Sequence, residues 1–369
     1  MKKVIILGAT GSIGSTCLKA IEEKTLPIEV VAISANTNYK KLEEISLKHN
    51  ISNLLLTNSD YRNTNFNYFN SIDDLLKNIE CDVVLNGIAG FDGLNATIKA
   101  LNNNRDVALA NKESVVTGGS FIFDLAKKNN CKIIPVDSEH SALKALVESH
   151  KKENIKSLII TASGGPFRTL DFNEFKNITV EKALNHPTWK MGKKITIDSS
   201  TLANKALEVI EASYLFGFEA NNIEVSVHPQ SIIHSMIRMH DGAIYAQLGT
   251  PNMSLPIIEG ILNDYTNEEL VKPLDFTNLS LTFEKPNYDK FPLLKCAYDI
   301  LEKKQGYPIA FNAANEEAVY AFLRKDISYL KLQDLVLKTL EKDFSYTIKN
   351  FDDVLEVDKK ARIIANSMI

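Results

Sequence analysis

The sequence predicts an α/β protein, with a doubly wound parallel sheet over residues 1–137, an α/β region over 138–264, a linker over 265–293 and helices over 294–369. Short apolar runs alternate with helical segments in the first region, which is the pattern of a parallel sheet covered on both faces. Prolines interrupt the linker. After the linker, apolar residues recur with the 3.6-residue period of helices.

The chain opens with a strand, a glycine-rich turn and a helix. Val4–Leu7 is a continuous apolar run, which predicts a buried strand, and a helix is expected through Ile21. Between them, Gly8–Gly14 has the spacing G-x-x-G-x-x-G. Small residues allow a tight turn there and let a pyrophosphate approach the helix N-terminus. These features predict a Rossmann-like dinucleotide-binding domain, and a turn of purely structural purpose is the alternative.

The end of the second strand indicates which dinucleotide is bound. Further strands are predicted at Val30–Ser34, Asn53–Leu56, Asp82–Leu85, Val107–Leu109 and Lys132–Val136. NAD-binding folds usually place an acidic residue after the second strand, where it binds the ribose 2′-hydroxyl. Here Ser34–Asn38 has no acidic residue, and Lys40 and Lys41 follow. Without the carboxylate a 2′-phosphate is not repelled, so the sequence favours NADP(H).

Charged residues follow two later strands of the predicted sheet. Lys112 comes after Val107–Leu109, and Asp137 and Glu139 come after Lys132–Val136. On an extended chain the two carboxylates share a face, and they repel unless a proton or a hard divalent cation lies between them. A metal site is therefore one interpretation, and an N-cap for the following helix is the other. Lys112 is either a site residue or a solvated surface charge.

Two segments further along suggest phosphate binding. Thr161–Arg168 is a small-residue loop after the strand Ser157–Ile160, and its amides and hydroxyls suit a phosphate. Ile197–Thr201 then leads into a helix in which Asn204, Lys205 and Glu208 share one face. These side chains form either part of a phosphate cradle or an ordinary surface ion pair between Lys205 and Glu208.

The segment His186–Gly192 holds the sole tryptophan, Trp189. Proline and glycine predict a loop, which is either a closing lid or static packing. His228 and His234 are expected to be structural. In the last region, helices are predicted at 294–303, 312–323, 331–342 and 356–367, with Asn312–Glu317 capping or opening one of them, and no catalytic signal is found.

Bulk properties exclude several classes of function. A net charge of −4 and a pI near 6.0, without a long basic run, argue against a nucleic-acid partner. No apolar stretch approaches the ~20 residues of a membrane span, and the first apolar run is too short for a signal peptide. The four scattered cysteines indicate free thiols in a reducing cytoplasm rather than a zinc site or disulfides.

Taken in order, these motifs make the chain similar to the 1-deoxy-D-xylulose 5-phosphate reductoisomerase family. The resemblance runs from residue 1 to the helical C-terminus. It implies an NADP-dependent oxidoreductase that rearranges and reduces 1-deoxy-D-xylulose 5-phosphate to 2-C-methyl-D-erythritol 4-phosphate in non-mevalonate isoprenoid synthesis. It also implies NADPH and Mg²⁺ or Mn²⁺ as cofactors, a central catalytic domain and a homodimer.

The resemblance assigns a role to each motif residue. The implied metal ligands are Asp137, Glu139 and Glu208. The implied phosphate ligands are Ser163, Ser199, Asn204 and Lys205. The implied contacts to the rest of the substrate are Lys112, Ser138 and His186. Two carboxylates, Glu139 and Glu208, would be shared between metal and substrate. The implied catalytic set is Lys112, Asp137, Glu139, His186 and Glu208. The implied cofactor contacts are Thr10, Gly11, Ser12, Ile13, Asn38, Asn111, Glu113 and Gly192.

Two positions depart from the family pattern. Thr37 stands where the family often has a base, so this chain lacks that side chain for holding the 2′-phosphate. Ala162 replaces a glycine that often precedes the phosphate serine.

Three other readings fit less of the chain. A short-chain dehydrogenase needs Tyr-x-x-x-Lys, and no tyrosine here has a lysine four residues on. A semialdehyde dehydrogenase needs a nucleophilic cysteine, whereas Cys17 falls in the first helix and Cys131 at a strand start. A non-catalytic NADP sensor leaves the carboxylates and the phosphate loop without a purpose. For the reductoisomerase, both a retro-aldol/aldol route and a direct shift remain open.

Overall fold

A computed structural model describes residues 1–189 and 191–369. Within them the strands are β1 (Lys2–Leu7), β2 (Ile28–Ala35), β3 (Asn53–Leu56), β4 (Asn67–Phe69), β5 (Val83–Asn86), β6 (Asp106–Leu109), β7 (Ile133–Pro135), β8 (Ile155–Ala162), β9 (Ile223–Val227), β10 (Ile233–Met239) and β11 (Ile244–Leu248). The helices are α1 (Ser12–Glu23), α2 (Tyr39–His49), α3 (Ile72–Asn78), α4 (Asp92–Asn102), α5 (Lys112–Lys128), α6 (Ser138–Glu148), α7 (Val180–Ala183), α8 (Lys193–Thr201), α9 (Ala203–Phe216), α10 (Ser254–Leu262), α11 (Pro292–Lys303), α12 (Tyr307–Leu323), α13 (Tyr329–Leu340) and α14 (Phe351–Asn366).

The first of two compact units contains residues 1–114, 122–141 and 252–272. Its seven strands are all parallel, in the order β4-β3-β2-β1-β5-β6-β7. The chain builds outward from β1 in one direction and then from β5 in the other. The carboxyl ends of β1 and β5 therefore form the switch point at which doubly wound sheets bind ligands. The predicted doubly wound sheet is confirmed.

The core of this unit explains why its strands are continuous apolar runs. All four residues of Val4–Leu7 are buried. Because successive side chains point to opposite faces, a strand buried along its length must be covered on both sides. Each such side chain contributes about 1.5–3 kcal/mol of burial free energy.

Helix α10 packs in this first unit, although residues 252–264 were predicted to belong to the central domain. Ile257, Ile258 and Ile261 lie in the same core as Val4 and Val136. Their apolar side chains are buried against the sheet. This burial, rather than position along the chain, determines the unit in which α10 packs. Conversely, residues 115–121 of α5, which lie within the predicted first domain, belong to the second unit.

The second unit contains residues 115–121, 142–251 and 273–369. Its four-stranded sheet has the order β11-β10-β8-β9, in which β8 and β9 are parallel and the other pairs are antiparallel. Parallel strands need a long crossover, and here that crossover contains α7, α8 and α9. The loop after β8 and the starts of α8 and α9 therefore belong to one connection.

Four long helices end the chain, as predicted, but the second and the fourth each begin five residues earlier than expected. Helix α12 starts at Tyr307, with Pro308 in its first turn, where a missing N–H costs nothing. Asn312–Glu317 therefore lies inside this helix, and its prediction as a cap was wrong. The side chain of Asn312 is fully buried. Its amide Nδ2 donates to Glu316 Oε1 at 3.4 Å within the helix, whereas its Oδ1 has no hydrogen-bond partner among the described residues.

Among the described residues, the stretch between α10 and α11 has no helix, and its only strand pairing is a bridge between Val227 and Glu284. This agrees with the irregular segment predicted there. None of the helices over 1–189 and 191–369 combines the length and the apolar character needed to cross a membrane.

Candidate active site

The glycine turn at the end of β1 has the close packing that its sequence predicts. Gly8 has φ +85°, and a Cβ on it would lie 2.9 Å from the Gly87 carbonyl oxygen. A Cβ on Gly14 would lie 2.4 Å from Ala9 Cα. Gly11 precedes the first residue of α1 and has no side chain to cap it. The first N–H groups of α1 thus lie beside the switch point of the sheet, where an anionic group is favoured.

The region after β2 brings a lysine to this turn. Asn38 caps α2, since its Oδ1 accepts from the Lys41 backbone N–H at 3.2 Å. The Lys41 ammonium donates to the Thr10 carbonyl oxygen at 2.7 Å and is otherwise exposed. The positive charge of Lys41, which follows the segment where NAD-binding folds have an acidic residue, is therefore held at the glycine turn.

Lys112 and Asp137 form a buried ion pair in the first unit. They follow β6 and β7, which are parallel neighbours, so both lie at the same edge of the sheet. Lys112 Nζ lies 2.7 Å from Asp137 Oδ2, and the two side chains are only 5% and 13% exposed. The interpretation of Lys112 as a solvated surface charge is therefore wrong.

Asp137 and Glu139 are not on an extended chain, because α6 begins at Ser138. Asp137 Oδ1 instead accepts from the Glu139 backbone N–H at 3.3 Å and lies 3.1 Å from His140 Nδ1. The Ser138 hydroxyl donates to Glu139 Oε2 at 2.5 Å. Asp137 thus interacts with the helix start as the capping alternative predicted, and it also pairs with Lys112.

Sequence analysis did not identify His140, which is fully buried beside Asp137. Its only sequence signal is a spacing of three residues within a helix. The two other predicted residues at this edge are Asn111 and Glu113. Asn111 caps α5 by accepting from the Ser114 backbone N–H at 2.7 Å, and its amide donates to Gly90 O at 2.9 Å and Glu113 Oε2 at 3.2 Å. These contacts fix the start of α5, whose first residue is Lys112.

In the second unit, three predicted residues from separate segments meet. His186 Nε2 lies 3.2 Å from Ser163 Oγ and 3.1 Å from Ser199 Oγ. Ser163 follows β8, and Ser199 lies in α8. A Cβ on Gly165, which has φ +67°, would lie 2.6 Å from the Ser199 carbonyl oxygen, so glycine is required for the loop to approach α8.

The other nitrogen of His186 defines its protonation state. His186 Nδ1 accepts from the backbone N–H groups of Thr188 at 3.1 Å and Trp189 at 2.9 Å. A nitrogen that accepts two N–H groups carries no proton, so the neutral ring is protonated on Nε2. Burial also lowers the pKa of His186, which favours the neutral form. His186 therefore donates from Nε2 to the two serine oxygens.

The first turns of α9 hold a buried carboxylate. Asn204 Nδ2 donates to Glu208 Oε1 at 2.6 Å, and the Lys205 ammonium pairs with Glu208 Oε2. Lys205 and Glu208 are almost completely buried, so their interpretation as a surface ion pair is wrong. Leu202, with φ +58°, separates the end of α8 from the start of α9. Ser199 therefore lies shortly before this break and Asn204 shortly after it.

The predicted lid is only partly described. Pro187 and Thr188 are exposed, Trp189 is half-buried, and Lys190 lies outside the described residues. Gly192 precedes α8, and a Cβ there would meet no described atom within 4 Å, so packing does not require a glycine at this position.

A parallel doubly wound sheet with a glycine turn at its switch point is typical of dinucleotide-dependent oxidoreductases, and the hydroxyl and imidazole groups of the second unit are hydrogen-bond donors that suit an anion. Family models match over three ranges: 1-deoxy-D-xylulose 5-phosphate reductoisomerase at 4–119, and two C-terminal domains of that enzyme at 133–216 and 248–364. The chain belongs to the 1-deoxy-D-xylulose 5-phosphate reductoisomerase family.

Individual relatives match over the whole chain. The 1-deoxy-D-xylulose 5-phosphate reductoisomerase of Clostridium novyi is 44% identical over 376 residues, with 98% of each chain covered. The structure of the Zymomonas mobilis enzyme in complex with NADPH is 38% identical, with a TM-score of 0.90, and covers 99% of this chain and 98% of that chain. A reductoisomerase structure in complex with NADPH, fosmidomycin and magnesium is 32% identical, with a TM-score of 0.88. The match covers 100% of this chain and 98% of that chain.

Proposed function

We propose that this protein converts 1-deoxy-D-xylulose 5-phosphate to 2-C-methyl-D-erythritol 4-phosphate, with NADPH and a divalent metal ion, in the non-mevalonate pathway of isoprenoid synthesis. The observation that carries the proposal is family membership over nearly the whole chain, at 44% identity to a curated reductoisomerase. The proposal is also supported by local contacts among residues that the resemblance names, between Lys112 and Asp137, among Ser163, His186 and Ser199, and among Asn204, Lys205 and Glu208.

Asp137, Glu139 and Glu208 are the proposed metal ligands. Their carboxylate oxygens are the donors that Mg²⁺ and Mn²⁺ prefer, so the residues fit the metal. When bound, the metal supplies Lewis-acid stabilisation of charge on the substrate oxygens, and NADPH supplies the hydride. Within the chain, Lys112 and Lys205 each hold one of these carboxylates in place.

The phosphate of the substrate is assigned to Ser163, Ser199, Asn204 and Lys205. Because His186 Nε2–H donates to both serine oxygens, the serine hydroxyl protons point elsewhere and are available to an anion. Asn204 and Lys205 add an amide and an ammonium from the first turn of α9. Binding energy from this non-reacting phosphate helps to orient the carbon skeleton for the reaction.

Lys112 and Ser138 are assigned to the polar backbone of the substrate, together with His186. The Lys112 ammonium can donate to a substrate oxygen while it remains paired with Asp137. A buried ammonium in this position stabilises negative charge that develops on that oxygen. The Ser138 hydroxyl, which donates to Glu139, would also hold that carboxylate in one orientation.

The glycine turn and its surroundings are assigned to NADPH. Ser12 and Ile13 begin α1, where a pyrophosphate is favoured, and Thr10 and Gly11 precede them. Asn38 lies at the end of the segment beside Lys41, on the side expected for the 2′-phosphate. Asn111, Glu113 and Gly192 are assigned to the cofactor by the family resemblance. The predicted NADPH-binding region at 1–137 and catalytic region at 138–264 are part of this proposal, except that residues 252–264 pack in the first unit.

Product formation with and without the metal tests the proposal. Purified protein should convert the phosphorylated ketose with NADPH and Mg²⁺, and excess chelator should abolish turnover. Asp137→Asn, Glu139→Gln and Glu208→Gln should each lower kcat/KM by at least ~10²-fold, because a well-placed Lewis acid contributes several kcal/mol. Full activity in chelator would overturn the metal assignment.

We also propose that the protein is a cytoplasmic homodimer. Strand β11 is an edge of its sheet, and its first residues Ile244 and Tyr245 are 49% and 46% exposed, which is unusual for an uncovered edge. The free thiols of all four cysteines suit a reducing compartment. Light scattering should give twice the chain mass, and Ile244→Lys should shift it toward the monomer. A monomer at all concentrations would contradict the dimer.

A further inference from the structure

Two buried side chains from the C-terminal helices contact the chain neighbours of Ser199. Asn315 Nδ2, from α12, donates to Asp198 Oδ1 at 2.7 Å. The Tyr329 hydroxyl, from α13, donates to the Ser200 carbonyl oxygen at 2.6 Å. Asn315 and Tyr329 are fully buried. The helices that carry no catalytic signal in the sequence thus hold α8 on both sides of a proposed phosphate ligand.

The negative charge of Asp198 determines how the side-chain amide of Asn315 is oriented. Asp198 is buried, and its other oxygen pairs with Lys194 Nζ at 2.9 Å. Asn315 Oδ1 is buried without a hydrogen-bond partner among the described residues, which is unfavourable. The opposite orientation of the amide would place that oxygen against the Asp198 carboxylate. The donor contact to Asp198 therefore determines the orientation of Asn315.

The contact from Tyr329 completes the end of a helix. Ser200 lies in the last turn of α8, where carbonyl groups lack an intrahelical partner. The Tyr329 ring packs against Phe167, Phe175 and Phe322, which fixes the place of its hydroxyl. Burial raises the pKa of this hydroxyl, so it stays protonated and donates.

We infer that Asn315 and Tyr329 are positioning residues of the phosphate subsite. They place the Ser199 hydroxyl by holding the residues before and after it, while Gly165 packs on the Ser199 carbonyl from the serine loop. A displacement of about 1 Å is enough to weaken a hydrogen bond to a bound phosphate. This inference rests on the proposed assignment of Ser199 to the phosphate.

Tyr329→Phe is the sharpest test, because it removes the hydroxyl and keeps the ring. Thr339→Val is its matched control, since Thr339 is buried in the same helix and its hydroxyl also donates to a backbone carbonyl, that of Leu335, at 2.9 Å. The readouts are the inhibition constant of inorganic phosphate, kcat/KM for the phosphorylated ketose and KM for NADPH. Tyr329→Phe should weaken phosphate inhibition and lower kcat/KM by about fivefold to tenfold, the loss expected for one hydrogen bond.

In both variants KM for NADPH should stay within about twofold of the wild-type value, a change too small to represent a lost hydrogen bond. If Tyr329→Phe matches Thr339→Val in phosphate inhibition, the inference is overturned, even if its melting temperature falls. Asn315→Leu, which loses the donor to Asp198, should give the same pattern as Tyr329→Phe. Ser199→Ala separates the two hypotheses. If that variant leaves phosphate inhibition unchanged, the phosphate assignment itself fails, whereas a loss in Ser199→Ala alone refutes only the role of Tyr329 and Asn315.

Discussion

At the scale of single residues, each of two proposed metal ligands is paired with a buried ammonium. Lys112 holds Asp137, and Lys205 holds Glu208. Removing one partner of a buried pair leaves an uncompensated charge, so these lysines stabilise the carboxylates before any cation binds. In the proposed function both ammonium groups also contact the anionic substrate. Both lysines are buried, which is rare for this residue type.

His186 connects the serine pair to the backbone of the predicted lid, and two variants separate these contacts. His186→Asn places an amide oxygen near the Nδ1 position, so it can still accept from Thr188 and Trp189, but it loses the donor to the serines. His186→Gln reaches the serines and loses the acceptor. The first variant should weaken phosphate inhibition by about fivefold to tenfold, the value of one hydrogen bond. The second should mainly increase proteolysis of the 186–192 loop. Equal effects of both variants on both measurements would contradict this division.

The lowered pKa of His186 also gives a pH dependence. Burial lowers its pKa in the folded protein from the ordinary value of 6.5. The unfolded chain therefore binds the proton first, so the stabilising contribution is complete above pH 6.5 and decreases as the pH falls through 6.5 toward the folded pKa. The melting temperature of the wild type should fall more steeply than that of His186→Asn over this interval. Parallel curves would show that His186 does not titrate as described.

At the scale of elements, the loop 186–192 is predicted to close over the filled site. Its described part is held by the two N–H contacts to His186, and Trp189 is half-buried. Since Trp189 is the sole tryptophan, its fluorescence reports on this loop directly. Adding NADPH and a phosphonate substrate mimic should change its emission and protect the loop from trypsin at Lys190. Unchanged emission and cleavage at saturating ligand would mean static packing.

The start of α2 is expected to select the cofactor. Lys41 lies at Thr10, and no acidic residue occupies 34–38. A unit charge about 4 Å from a phosphate in a water-like medium is worth ~1 kcal/mol, or about fivefold. We therefore expect kcat/KM to favour NADPH over NADH, and Lys41→Met to lower that preference about fivefold. Lys48→Met is a suitable control, because Lys48 lies at the far end of α2 and pairs with Glu22. Equal kcat/KM for the two cofactors in the wild type would contradict the assignment.

Local patterns were sufficient to predict most of these elements. The apolar runs of β1 and β3 and the periodicity of α11 and α13 specify strand or helix without reference to the rest of the chain. The three-residue strand β4 was missed, since so short a segment has no clear period. The strands β9, β10 and β11 also had no predicted ranges. The packing of α10 in the first unit was also missed, because its apolar face indicates burial without indicating the partner.

The site was predictable where residues that meet are close in sequence or follow adjacent strands. Glu208 lies one turn from Asn204, and Lys112 and Asp137 follow neighbouring parallel strands. The contact between Asp198 and Asn315 joins residues 117 positions apart, and nothing in either local sequence specifies it. Such contacts depend on tertiary packing of whole helices, so they had to be found in the structure.

At the scale of the whole chain, one largely buried charge cluster joins the C-terminal helices α12 and α14. Arg362 of α14 pairs with Glu316 at 2.7 Å and Glu317 at 2.8 Å, both on α12, and with Asp358 at 2.7 Å. Burial alone would lower the pKa of Arg362, but its hydrogen bonds to Asp358 and Glu316 outweigh that effect and raise it. The guanidinium therefore stays charged and neutralises carboxylates that have little access to water.

Arg362→Met should accordingly destabilise the protein strongly, because it keeps the aliphatic volume and leaves Glu316 and Asp358 buried without their cation. The expected loss is about 3–5 kcal/mol of unfolding free energy, the cost of breaking a buried pair. Arg324→Met is the matched control, since Arg324 pairs with Asp326 at 2.8 Å on the surface, where a pair is worth about 1 kcal/mol or less. Denaturant unfolding of both variants measures the difference. Similar losses would mean that the Arg362 cluster contributes no more than a surface pair, whereas a larger loss in Arg362→Met would show that the cluster stabilises the packing of α14 against α12.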